Sequence, residues 1–155
     1  MIHSARRLAP LVAAVVLLPL CTALTSGDDA RTSNPNVKVW AHLSRQMFKP
    51  GETGEITITL SAAEGYHINA NPAVEVKLDD PRLVILKGVP TQAIDKSTGY
   101  LSSRSPVRQI FYVPSTTSAG FHVLKGTVTY FYCSDSEGWC RRYRQPISLS
   151  FTLSK

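Results

Sequence analysis

Across its 155 residues the sequence lacks any stretch in which apolar side chains recur at helical spacing for three turns, which excludes a helical bundle or coiled coil as its framework. It also lacks a glycine-rich phosphate loop, a nucleophile–base triad and a close pair of carboxylates. Nothing therefore points to phosphoryl transfer, acyl transfer or glycoside hydrolysis. Beyond the first 26 residues no apolar run approaches the length of a membrane span. Cysteine is scarce, at three residues. The distant cysteine pair that joins two sheets around a tryptophan in many immunoglobulin domains is missing. His42 and His122 fall on separate expected strands without metal-ligand spacing. No cofactor and no metal is expected.

What is present begins with an export signal. Arg6 and Arg7 precede the apolar stretch LAPLVAAVVLLPL, and small residues follow at Ala23, Thr25 and Ser26, as a signal-peptidase site requires. The residues around Arg6 and Arg7 do not support a twin-arginine signal. Leu18 stands three residues before Cys21, as in a lipoprotein signal, but Leu20 directly before it is too bulky. Cys21 is thus expected to leave with residues 1–26 rather than carry lipid. Removing that segment takes away two arginines and no acids, so the formal charge falls from +6 to +4. The chain is expected to be exported, to the periplasm. That mild charge balance argues against a nucleic-acid groove and leaves room for an acidic partner surface. The remaining length suits one domain with one core.

Residues 27–36 (GDDARTSNPN) are polar, have no apolar period and read as a flexible leader; the domain proper is expected over 37–155. VKVWAHL places Val37, Val39, Ala41 and Leu43 on one face of a strand. In the turn KPGE (49–52), Pro50 fixes φ and Gly51 tolerates positive φ. EITITL and AVEVKL alternate through Ile56, Ile58, Leu60 and Val74, Val76, Leu78. RLVILKGV and RQIFYV read as strands buried on both faces. TQAIDKSTGYLSSRSP (91–106) has no period and reads as a long loop of the kind that often carries function. FHVLKGTVTYFYC runs unusually long, with Gly126 expected at a bulge. PISLSFTL points Ile147, Leu149, Phe151 and Leu153 inward. Seven or eight short strands with turns between them spell an all-β, immunoglobulin-like antiparallel β-sandwich.

The local pair Cys133 and Cys140 lies in FYCSDSEGWCRRYR (131–144). Strands on either side of SDSEGW would bring the two residues opposite one another near a hairpin tip, with Cβ atoms about 4.5–5.5 Å apart. A disulfide is geometrically reasonable there. Closing so short a loop stabilises by roughly 2.5 kcal/mol in the chain-entropy model, and the ladder around it lowers that figure. Arg141, Arg142 and Arg144 favour a thiolate while Asp135 and Glu137 oppose one. Two functions stay open on this ground: a passive clamp in an exported binding module, or a pair that exchanges electrons.

A second anomaly is EGYHINANPAVEVKL (64–78), where a polar, aromatic stretch interrupts simple alternation. Together with VTYFYC (128–133), GWC (138–140) and the intervening loop, the order resembles the N-terminal periplasmic domain of the thiol–disulfide reductase DsbD, over essentially the whole mature chain. The resemblance implies an immunoglobulin-like sandwich whose cysteines, here Cys133 and Cys140, take electrons from a membrane reductase. They would pass those electrons to periplasmic acceptors such as disulfide isomerases or thioredoxin-like proteins. It also implies that Tyr66 lines the site and that the loop 91–106 forms a cap over the cysteines, with Tyr100 and Leu101 at its apolar tip. Asn69 stands where the family has a site tyrosine. The cap's acidic-aromatic cluster is not recognisable here, Asp95 being a poor remnant of it, and the cysteines are one residue further apart than in the enterobacterial form. No membrane domain follows Lys155, so the electron donor is expected on a separate chain. His67 would be a proton donor or acceptor, or a strand histidine in ordinary hydrogen bonds. A metal site of Cys133, Cys140 and His67 would first need the pair reduced. Trp139 and Tyr143 would face a partner or pack locally.

Overall fold

The computed structural model describes residues 33–155; the expected signal and most of the leader lie outside the described residues. Period-two alternation becomes strand along nearly all of that length, and no helix occurs among the described residues. The strands are β1 (Val37–Leu43), β2 (Met47–Phe48), β3 (Thr53–Ala62), β4 (Tyr66–Ile68), β5 (Glu75–Leu78), β6 (Ile85–Thr91), β7 (Val107–Tyr112), β8 (Gly120–Ser134) and β9 (Cys140–Leu153). One sheet has the order β1-β3-β7-β6 and the other β2-β9-β8-β4, with β5 also paired to β8. All pairings are antiparallel except the two-residue contact of β2 with β9. The result is an immunoglobulin-like β-sandwich.

Inward residues of both sheets make one core. Ile56, Ile58 and Leu60 of β3 and Phe111 of β7 meet Leu124, Val128 and Tyr130 of β8 and Leu149, Phe151 and Leu153 of β9. The turn before β3 is the expected one: Gly51 has φ 90°, and the Glu52 amide donates to the Lys49 carbonyl at 3.1 Å. Ahead of β1, Asn34 is buried at the foot of the sandwich beside Tyr130. Its amide nitrogen and the phenol have no hydrogen bond of normal geometry. Burial pushes the Tyr130 phenol well above its ordinary range, and the Asn34 side chain pulls it back only partly.

Three expectations are corrected. RLVILKGV and RQIFYV are not buried on both faces. Ile85 is 43% exposed, Val89 86% and Ile110 42%, because the sandwich has two layers and each sheet meets the other on one side only. Gly126 is not a bulge, since it keeps register with both Leu78 and Ile147. A Cβ there would stand 2.5 Å from the Lys77 carbonyl oxygen, so glycine permits the close approach of β5 to β8. Finally, β9 begins at Cys140 rather than at Pro146 and is one of two long strands. Its ladder with β8 runs from Gly120↔Leu153 to Cys133↔Cys140.

Candidate functional site

The far end of that ladder carries the cysteines. The Ser134 amide donates to the Trp139 carbonyl at 3.0 Å, which makes 134/139 a hydrogen-bonded pair. Cys133 and Cys140, one step away, therefore occupy a non-hydrogen-bonded pair, where opposed Cα atoms come closest. Their Cα atoms are 4.0 Å apart and the sulfurs are joined at 2.03 Å. The connecting turn closes through the Gly138 amide, which donates to the Ser134 carbonyl at 3.1 Å, with Gly138 at φ 68°.

Alternation decides which way the sulfurs face. Leu124, Val128, Tyr130 and Tyr132 of β8 enter the core, so Cys133 lies on the outer face of its sheet. Cys140 lies on that same face with Arg142 and Arg144. Cys133 is nonetheless only 3% exposed, whereas Cys140 is open to solvent. The cover comes from β4 and the residues just beyond its end. His67 stands directly opposite Cys133 in the ladder. The Asn69 amide nitrogen lies 3.5 Å from the Cys133 sulfur and 3.9 Å from that of Cys140. The His67 ring stacks on Tyr100, with centroids 3.6 Å apart and planes 9° from parallel. Its Nδ1 meets Asp135 Oδ1 at 2.5 Å. These side chains and the two cysteines line an open depression of about 560 Å³.

The loop 91–106 is anchored to the second sheet. Tyr100 bridges to Asn69 and Ile94 to Leu101, and the Leu101 amide donates to the Ile68 carbonyl at 2.8 Å. Tyr100 thus turns to the outer face and Leu101 to the core. Asp95 shapes the turn between them. Its Oδ1 accepts from the Ser97 amide and hydroxyl at 2.8 and 2.6 Å, and its carbonyl accepts from Gly99 at 2.8 Å. The Ser97 hydrogen bonds hold the Asp95 carboxyl below its ordinary value of 3.8. A depressed carboxylate stabilises its turn above the unfolded value and loses that contribution as pH falls through the folded one. The Ser97 and Gly99 amides should therefore exchange faster with solvent as pH drops below 3.8, after correction for intrinsic rates. Asp95→Ala should abolish that pH dependence. Unchanged protection in the variant would show that the turn does not depend on the carboxylate.

Of the residues expected at the site, Cys133, Cys140, His67, Asn69 and Tyr100 come together around one depression. Leu101 forms no exposed tip; it is 8% exposed and belongs to the core. Tyr66 and Trp139 pack on the core side of the sheet, each against Tyr132, at 6.2 and 5.5 Å between ring centroids. Arg141 lies over the Trp139 ring, so of the three arginines it is Arg142 that neighbours Cys140 on the outer face. Of the loop, Tyr100 lines the depression with the disulfide. Two contributors carry no signal of their role in the sequence. Asp135 holds His67, and Gln92 pins the 70–74 segment by donating to the Ala70 carbonyl and accepting from the Val74 amide.

No family model and no curated protein matches the chain. Among solved structures it is similar to the C-terminal domain of ZirS, at TM-score 0.39 and 13% identity over 99% of this chain and 88% of that one. It is also similar to the N-terminal domain of DsbD from Neisseria meningitidis in the reduced form, at TM-score 0.28 and 18% identity over 77% of this chain and 85% of that one.

Proposed function

We propose that the chain is an exported thiol–disulfide exchange domain working through Cys133 and Cys140. It would receive electrons from a membrane reductase and pass them to oxidised thioredoxin-like or isomerase acceptors in the periplasm. One observation carries the proposal. The disulfide lies on the outer face of the sandwich beside a side-chain-lined depression, with Cys140 exposed to solvent and Cys133 buried. A clamp needs no access to either sulfur; exchange needs access to one. The ordered resemblance of GYHINAN, VTYFYC and GWC to the DsbD domain points the same way.

The exchange would run in two halves. A donor thiolate attacks Cys140 Sγ, the Sγ–Sγ bond breaks, and its electron pair leaves on Cys133 Sγ. A second donor thiolate then attacks the donor sulfur of the mixed disulfide and releases Cys140 as thiolate. On the outgoing side Cys140 attacks an oxidised acceptor, and Cys133 resolves the adduct by attacking Cys140 Sγ. Electrons and protons balance over the two halves.

The decisive measurement is the reduction potential of the pair, taken by thiol trapping across a graded redox buffer. A value between about −180 and −270 mV, the range of exchange-active dithiols, is expected. A value well below about −300 mV would mark a structural bond and leave a non-catalytic β-sandwich binding module.

A further inference from the structure

His67 and Asp135 form a pair that lines the same depression as Cys133. His67 lies in the ladder position directly opposite Cys133, and the hydrogen bonds on either side fix their relation. The Asn69 amide donates to the Phe131 carbonyl and the Asp135 amide to the Gly65 carbonyl, each at 2.9 Å. With alternate pairs bonded, 67/133 is itself a hydrogen-bonded pair with both side chains on the outer face. The imidazole is held on two further sides. Tyr100 stacks flat upon it, and Asp135 takes Nδ1. An ionised carboxylate only accepts, so Nδ1 carries a proton and Nε2 is the nitrogen left for exchange. The groups that face the ring are Asp135 from the turn after β8, Tyr100 and Asp95 from the loop, and Cys140 from β9, with Arg142 two residues further along. His67 is mostly covered, at 18% side-chain exposure, while Asp135 at 53% is in contact with water.

Resting on the exchange function above, we infer that His67 is the acid that protonates the departing Cys133 sulfur, and that Asp135 and Tyr100 position it. When an incoming thiolate bonds to Cys140 Sγ, the Sγ–Sγ electron pair moves to Cys133 Sγ. The imidazolium passes its Nε2 proton to that sulfur and is reprotonated from water. In the opposite direction neutral His67 takes the Cys133 proton, so that Cys133 can attack Cys140 Sγ and release a reduced acceptor. Covered by Asn69 and the Tyr100 wall, Cys133 is poorly solvated, and an unprotonated leaving thiolate there is costly. The residue that relieves that cost also fixes direction, because it makes Cys133 the better leaving group and Cys140 the point of attack.

The test is reduction of the oxidised protein by glutathione across pH 5.5–8.5. Each rate constant is divided by the glutathione thiolate concentration, so that only groups of the protein remain in the profile. The wild-type value is expected to fall about tenfold as the imidazolium is lost. In His67→Gln it should be flat and slow throughout. In Asp135→Asn the rate at the acid end should fall several-fold, because the ring loses the contact that orients it. Asp135 is exposed enough for its substitution to leave the fold intact should His67→Gln fold poorly. A flat wild-type profile, or an inflection that survives in His67→Gln, would overturn the role of His67. The two failures are separable: a structural-bond potential in the wild type sinks the relay function, while a flat profile with an exchange-active potential sinks His67 alone.

Discussion

Reduced Cys133→Ser protein, mixed with a thioredoxin-like acceptor oxidised at its internal dithiol, is expected to accumulate a covalent adduct through Cys140 and to release no reduced acceptor. With oxidised glutathione it should stop at the Cys140–glutathione mixed disulfide, with one glutathione thiol released. Cys140→Ser should form its adduct at least roughly tenfold more slowly, since reaction follows thiolate access. The asymmetry comes from burial. Cys133 is 3% exposed and lies against the Asn69 amide, while Cys140 is exposed to solvent. Attack on a disulfide needs an approach along the axis of the bond, so only the sulfur with a free far side can be struck. Adduct mapping by peptide mass spectrometry reads the result directly. Equal rates for the two variants, or a faster adduct on Cys133, would reverse the assigned order of attack. Failure of Cys133→Ser to form any adduct would remove the exchange function itself.

Much of this arrangement is legible in the residues. Alternating runs such as EITITL and PISLSFTL announce their strands and inward faces, because each covers one side of a two-layer core. The cysteine hairpin is readable from its flanks, and the turn at Gly51 from its chemistry. The errors have physical causes. Short continuous apolar runs look alike whether one face is covered or two, so Ile85 and Ile110 read as interior although they face solvent. CRRYRQ has polar residues on both faces and no period of its own. It is a strand because fourteen residues of β9 pair along β8. The bonds of loop 91–106 to β4 are long-range, and nothing in its composition announces them. Asp135 meets His67 across 68 positions of sequence. A polar residue in a turn gives no signal of such a partner, so the pair that positions the imidazole emerges only from the fold.

Phe111→Ala is expected to cost about 3–5 kcal/mol, the usual range for emptying a buried phenylalanine site, and more than loss of the disulfide. Phe111 is fully buried and pairs with Gly54 across β3 and β7. The ring fills the space above that glycine: a Cβ on Gly54 would come within 2.3 Å of the Phe111 ring and 2.6 Å of the Phe48 ring. Phe48 in turn meets Phe111 edge-on at 5.4 Å and Phe151 at 5.9 Å. The three rings bridge one sheet to the other, so the cavity left by alanine opens at the join of the sandwich. The cysteine bond, by contrast, ties the last pair of a ladder already hydrogen-bonded along its length. Its contribution should stay at or below roughly 2.5 kcal/mol, the chain-entropy figure for so short a loop. Urea unfolding of wild type, oxidised and reduced, beside Phe111→Ala at one pH gives the ranking from midpoints at unchanged slope. A carrier must stay folded in both redox states, and a sandwich joined through Phe48, Phe111 and Phe151 can do so. Should reduction of Cys133–Cys140 cost more than Phe111→Ala, the bond is holding the fold and cannot be opened in each cycle.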